Sequence, residues 1–262
     1  TLCSYAEELF LEISASFGHS LNTIREKIGE DSIRLFDVPL TQETADACKK
    51  CNAVFLADSD CPGSRDLYQT LSQPLRIRSF CIPDPLATSS APKRHMYFCQ
   101  ATALDQDTVF AAVRQALQLA VDQDVAFCHV SPTGNHRFAW EANIKENLKR
   151  YPTLSWTALS APDAVRRIIE APWNVGVMLC PPYAGSILES CATTLFPYPG
   201  LQYDWGVNDT LGIFAPRLTC DASGMPEPFA VAYAVARMLR TTLRMNREAA
   251  CLEAAVNNVL IS

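Results

Sequence analysis

Residues 174–190 read NVGVMLCPPYAGSILES, and this stretch decides the fold class. Apolar Val175, Val177, Met178 and Leu179 run into Pro181 and Pro182, so a buried strand gives way to a tight turn. Gly185 then permits close backbone approach, and Ile187 and Leu188 carry on as a helix. Strand, turn and helix in that order make one unit of a layered α/β protein. Its chemistry is sparse: Glu189 is the only carboxylate between Asn174 and Ser190.

The same unit recurs on both sides. Helix Asp107–Val121, with Val109, Phe110, Val113, Ala116, Leu117 and Ala120 on its inner face, precedes a strand at Val125–Val130. Helix Phe138–Arg150 leads to strand Leu154–Leu159, and helix Pro162–Glu170 to the strand of the opening stretch. Nearer the N-terminus, Leu9, Phe10, Ile13 and Phe17 mark an amphipathic helix over Tyr5–Phe17, which Gly18 stops. Thr41 is an N-cap for a helix to about Lys50, and Ala53–Ala57 is a short strand expected to be buried on both faces of a parallel sheet. Cys61–Pro92, with Pro62, Pro74, Pro83, Pro85 and Pro92, reads as loops and edge strands; a strand comes next at His95–Gln100. The tail holds two helices, Pro228–Arg244 and Arg247–Leu260.

A chain of 262 residues, 48% hydrophobic and 19% charged, supports one large domain or two smaller ones with real cores. A net charge of -6, with scattered Lys and Arg, argues against nucleic acid. No apolar run nears the roughly 20 residues that span a bilayer, and no basic start with an apolar core opens the chain, so a cytoplasmic location away from membranes is expected. Eleven cysteines without framework spacing read as reduced thiols filling small apolar spaces. Cys48-Lys-Lys-Cys51 lies inside a helix with no second pair downstream, and Cys128, His129 and His136 lack a fourth ligand, so neither is read as a zinc or redox site.

Pro39–Leu56, PLTQETADACKKCNAVFL, resembles the PLP-x-ET-x-x-ACK-x-x-DAVLLG stretch of the isocitrate and isopropylmalate dehydrogenases. Later landmarks keep the family's order. The helix at 107–120 resembles its AFELA helix, Asn135 sits where its K-x-N-V-L motif falls, and Tyr151-Pro152 resembles its helix-ending Tyr-Pro. Gly185–Leu188 is similar to the start of its GDILSD helix, Leu211–Pro216 to its GLYEPVHGSAPD segment, and Pro228–Leu243 to NPIATILSAAMMLRYSL. The resemblance implies a two-domain α/β layered fold with a mixed, largely parallel sheet and helices on both faces. It also implies a larger discontinuous domain of residues 1–83 plus 192–262 and a smaller one of residues 84–191 carrying the remnant metal and substrate helix. The family's dimer arm, inserted near residues 100–107, shrinks to Ala101–Gln106, and the sequence begins near the family's first helix, so its opening strand with the GDGIGPE turn is absent or not included.

Carried over residue by residue, the family's active site is largely replaced. Its metal-binding Asp positions fall on Ser186, Ser190 and Pro162, and hydroxyls are far weaker ligands than carboxylates for hard cations. Asp163 is one residue out of register. The catalytic Lys falls on Thr133, which holds no ammonium, while Asn135 is retained. The arginines that clamp substrate carboxylates fall near Tyr68–Thr70, Ile82 and Cys99, with Arg76, Arg78, Lys93 and Arg94 close by as replacements from a shifted register. The adenosine-binding loop shortens to 217–224, where Arg217, Asp221 and Gly224 are its remnants.

The expectation is therefore a catalytically inactive relative with a binding, regulatory or partner-subunit role. The family's NAD(P) and Mg²⁺ or Mn²⁺ enter by analogy, but with no confident cofactor or metal residues. Pairing as a homodimer or heteromer is expected through helices near 186–194. The alternative is altered chemistry in the same interdomain cleft, using Asn135, His129, His136, Asp163 or Glu189. Against that alternative, His129 also reads as a strand-end or satisfied core histidine, Asp163 as a carboxylate favoured at a helix start, and Glu189 as a solvated helix residue.

Overall fold

Between residues 95 and 180, wherever a strand leads into a helix the next strand joins the sheet in parallel, as the sequence pattern requires. The computed structural model describes residues 2–83, 86–87, 95–196, 198–217 and 228–261. In chain order the elements are α1 (Leu2–Ser16), α2 (Glu30–Phe36), α3 (Gln42–Lys49), β1 (Ala53–Phe55), α4 (Ser64–Thr70), β2 (Leu75–Cys81) and β3 (His95–Ala101). They continue with α5 (Gln106–Asp122), β4 (Phe127–Val130), α6 (His136–Leu148), β5 (Trp156–Leu159), α7 (Ala161–Glu170), β6 (Val177–Cys180) and α8 (Pro182–Leu195). The last four are β7 (Tyr203–Val207), β8 (Gly212–Pro216), α9 (Pro228–Thr241) and α10 (Asn246–Ile261).

Two compact units result. The first comprises Thr1–Gln73, Pro83–Ala87 and Gly200–Ser262, the second Pro74–Ile82 and Thr88–Pro199. In the first, β8 lies between a parallel β1 and an antiparallel β7. Alanine-rich α9 buries Ala230, Val231, Ala234, Val235 and Leu239, and α1 and α10 pack on it. Thr41 caps α3 as expected, its hydroxyl accepting from the Thr44 N–H at 3.1 Å. Only Val54 of β1 is buried, so the strand is not covered on both faces as the sequence suggests.

In the second unit the strand order is β2-β3-β6-β4-β5, with β3, β6, β4 and β5 all parallel and β2 antiparallel to β3. Successive residues of a strand face opposite sides, which sorts the helices. On one face His129, opposite Leu179, meets Trp140 of α6, and α5 packs beside α6. On the other face Gln100, opposite Cys180, meets α8, and α7 packs beside α8. The unit is thus a mixed, largely parallel sheet with helices on both faces. Along α5, Ala112 is buried where the spacing predicts Phe110, and Phe110 is exposed.

Two elements depart from the proline-led reading of 61–92 as loops and edge strands. That stretch holds α4 and the seven-residue β2, five of whose residues are buried. β5, an apolar strand by its sequence, ends the strand order of its unit with no fully buried residue. α2 and β7 carry no strong periodic signal and are additions to the sequence pattern. Gly176, ahead of β6, has φ +64, and a Cβ there would lie 2.1 Å from the Ala126 carbonyl oxygen, which accepts from the Val177 N–H. Gly176→Ala is expected to cost roughly 3 kcal/mol, since it combines left-handed strain with a backbone clash. Urea unfolding measures it, and a loss below about 1 kcal/mol would contradict this account.

Candidate functional site

Parallel pairing brings the ends of β4, β5 and β6 to one edge of the second unit, and α6, α7 and α8 begin there. In open α/β sheets ligands bind outside the carboxyl ends of strands. Thr133 and Asn135 sit at the start of α6, Pro162 and Asp163 in the first turn of α7, and on α8 Ser186 lies in the second turn with Ser190 one turn further on. All six are exposed or partly so, and they share this edge. Asn135 is the N-cap of α6 but makes no side-chain cap hydrogen bond.

Asp163, Ser186 and Ser190 each have local structural work. The Ser160 hydroxyl accepts from the Asp163 N–H at 3.3 Å and donates to the Asp163 carboxylate at 2.5 Å. Asp163 is therefore half of a capping pair for α7, with Arg166 a further 3.7 Å away. Ser160, three residues before Asp163, is the sequence signal for that pair, and the reading of Asp163 as a lone helix-start carboxylate leaves it out. The Ser186 hydroxyl accepts from Gln100 Nε2 at 2.8 Å, and that same amide donates to the Pro182 carbonyl. Ser190 Oγ bonds back to the Ser186 carbonyl at 2.9 Å.

Glu189 corrects the sequence reading most plainly. It is buried, not solvated, and its carboxylate pairs with Nη1 of Arg78 on β2. Arg78 is only 1% exposed, so it is held in the interior of the unit rather than offered to a ligand. The clamp positions Ile82 and Cys99 are wholly buried, with burial pushing the Cys99 thiol far up. Arg76 is half-buried on β2, opposite Gln100. Lys93 and Arg94 lie outside the described residues.

His129 is a satisfied core histidine. It is 3% exposed, lies between Phe127 and Trp156 in a stack with ring centroids 6.3 and 6.2 Å away, and accepts from Trp140 Nε1 at 3.4 Å. Burial pushes its pKa down to about 4, opposed by Glu141. His136 is exposed at the start of α6.

The residues present do not fit a Mg²⁺ or Mn²⁺ centre. The positions that the resemblance assigns to metal carboxylates hold Ser186, Ser190 and Pro162, Asp163 and Glu189 are committed elsewhere, and no three His, Cys, Asp or Glu side chains among the described residues gather to hold a metal ion. Of the cofactor-loop remnants, Arg217 lies in the first unit with its Nε 3.8 Å from Asp60 and its Nη1 3.4 Å from Gln202 Oε1. Asp221 and Gly224 lie outside the described residues. The Cys48 and Cys51 thiols are free, and burial pushes Cys48 up to about 11.

No family model matches the chain. It is 27% identical to the 3-isopropylmalate dehydrogenase of Haemophilus influenzae (strain 86-028NP) over 130 residues, 47% of this chain and 36% of that protein. It is 22% identical to the 3-isopropylmalate dehydrogenase of Saccharophagus degradans, across 97% of this chain and 86% of that protein. The crystal structure of isocitrate dehydrogenase from Methylococcus capsulatus superposes with a TM-score of 0.81 at 15% identity, covering 98% of this chain and 87% of that one.

Two predictions concern the buried groups. Glu189→Ala takes the paired carboxylate from a buried guanidinium and is expected to cost about 3–5 kcal/mol, whereas replacing both residues (R78M/E189L) costs less; a double-mutant cycle in urea measures both. A His129 pKa below its unfolded value near 6.5 means the unfolded chain binds the extra proton between pH 6.5 and 4, so stability falls as pH falls through that window. The loss is roughly 3 kcal/mol, and H129Q should flatten that part of the stability profile.

Proposed function

We propose that this chain, a divergent member of the isocitrate/isopropylmalate dehydrogenase family, is a catalytically inactive relative serving as a binding, regulatory or partner subunit. One observation carries the reading. At the edge where α6, α7 and α8 begin, the positions matched to metal carboxylates and to the catalytic lysine hold Ser186, Ser190, Pro162 and Thr133, and the nearest acids are tied up in a helix cap and a buried ion pair. Such groups act as a unit in the family's reaction, and losing even one member of a unit costs orders of magnitude in rate. The fold persists because core positions stay apolar whatever happens at the site.

A partner role finds support on α8. Tyr183 is 82% exposed and Ile187, one turn on, is also exposed, so the helix presents apolar side chains that a homodimer or a heteromer through residues near 186–194 would cover. A cytoplasmic setting is supported by the ten cysteines among the described residues, none of which forms a disulfide. No helix among the described residues is long and apolar enough to cross a membrane.

The test is thermal unfolding with NAD or NADP, each with Mg²⁺ or Mn²⁺, and with isocitrate or 3-isopropylmalate. The midpoint should stay within about 1 °C, since only a ligand of the native state stabilises it. A rise of roughly 5 °C or more, as expected at saturation, together with NAD(P)H formation, would overturn the proposal. In the same samples, sedimentation should show an assembly that Ile187→Asp weakens without changing the midpoint of the separated chain.

A further inference from the structure

The solvent face of α8 carries no charge along its whole length. Within Pro182–Leu195 the one charged side chain is Glu189, which is turned inward to Arg78. Tyr183, Ile187, Ser190 and Thr194 are all exposed, and their spacings of four, three and four residues put them on one seam of the helix. The hydroxyls of this face are already satisfied: Ser186, Ser190 and Thr194 each donate to the carbonyl four residues earlier, at 3.4, 2.9 and 2.9 Å. A cover over them would leave no unpaired donor behind.

The order of sizes along the seam selects its occupant. The large side chains, Tyr183 and Ile187, lie in the N-terminal half of α8, and the small ones, Ser190 and Thr194, in the C-terminal half, at matching distances from the helix midpoint. An antiparallel copy of α8, related by a two-fold axis across that midpoint, sets Tyr183 against Thr194 and Ile187 against Ser190, twice each, so knobs meet holes. A parallel copy would stack large on large and small on small. A foreign partner finds no charge on this face by which to be chosen, and a copy finds none to repel it. Ser190 is also a position that the resemblance gives to a metal carboxylate, and an acid there would put two like charges beside the axis of an uncharged contact.

We propose that α8 pairs with the α8 of a second copy of this chain, antiparallel about a two-fold axis between positions 188 and 189, and that Ser190 is the hole that receives Ile187 of the copy. The serine that stands where the resemblance puts an acid then serves packing. This two-fold rests on the partner role suggested above for α8 and narrows it to a homodimer of stated register. It makes no use of cofactor binding, so the inactive-relative reading is decided separately by thermal unfolding.

Disulfide trapping on the whole chain, with Cys191 and Cys251 replaced by serine, tests the register. Within one chain positions 183 and 194 lie roughly 16 Å apart along the helix, beyond the about 7 Å that a disulfide spans between Cα atoms, so a bond can join only two chains. Mild oxidation of Y183C/T194C should give a covalent dimer, and Y183C alone or T194C alone should not. In sedimentation the wild-type chain should be a dimer, Ser190→Asp should raise its dissociation constant at least about tenfold, and Ser190→Ala should leave it within about threefold. A covalent dimer from either single variant, none from the double variant, or Ser190→Asp pairing as tightly as Ser190→Ala would each overturn the proposal. So would a wild-type chain that stays monomeric or that pairs through α8 only with a different protein.

Discussion

Helix α8 lies so close to the sheet that the residue facing it has no room for a side chain. A Cβ on Gly185 would come within 2.9 Å of Gln100 Cγ and 3.3 Å of Cys180 Cβ. That approach sets the contacts made by the rest of the helix. Gln100, on β3, reaches the Pro182 carbonyl in the first turn and Ser186 in the second, and further on Glu189 meets Arg78 on β2. The helix is thereby pinned to two strands by polar contacts while Leu188 and Ala192 bury on the same side. Moving α8 outward by even the depth of a methyl group would loosen a close-packed face and pull a carboxylate from a buried guanidinium.

The parts of the fold legible in the sequence are those whose signal is local and periodic. α5 shows it best: six buried residues at helical spacing, and Asp105 accepting from the Thr108 N–H as N-cap. β2 shows the opposite. Its Arg76 and Arg78 read as replacement clamp arginines in a proline-rich stretch, yet Arg78 is interior because its partner lies 111 residues later on α8. No window of sequence contains both members of that pair, so neither Arg78 nor Glu189 can be assigned its place from local pattern. β1 misleads in the other direction, since an apolar run signals burial only if something covers both faces.

The site is legible to a different degree. The order of strands and helices is enough to bring Thr133, Asn135, Pro162, Asp163, Ser186 and Ser190 to one edge, because parallel topology leaves no other arrangement. What each side chain does there is not legible, except where the partner is near in sequence. Ser160 and Asp163 make a capping pair readable three residues apart. The partners of Ser186 and His129, Gln100 and Trp140, belong to other elements and emerge only from the packing.

The electrostatics of this edge explain why its acids would disappear as a set. Three helix N-termini converge there, each favouring nearby negative charge modestly, about 0.3–1 kcal/mol at an exposed position. A cluster of carboxylates is tolerable when a divalent cation sits among them and repulsive when one ligand is lost and the cation leaves. An incomplete set is then worse for stability than none, so under the reading proposed above a hydroxyl or a proline at such positions relieves repulsion. Asp163 is the carboxylate that such a drift would spare, because its charge serves the Ser160 cap and the N-terminus of α7 whether or not a cation is near.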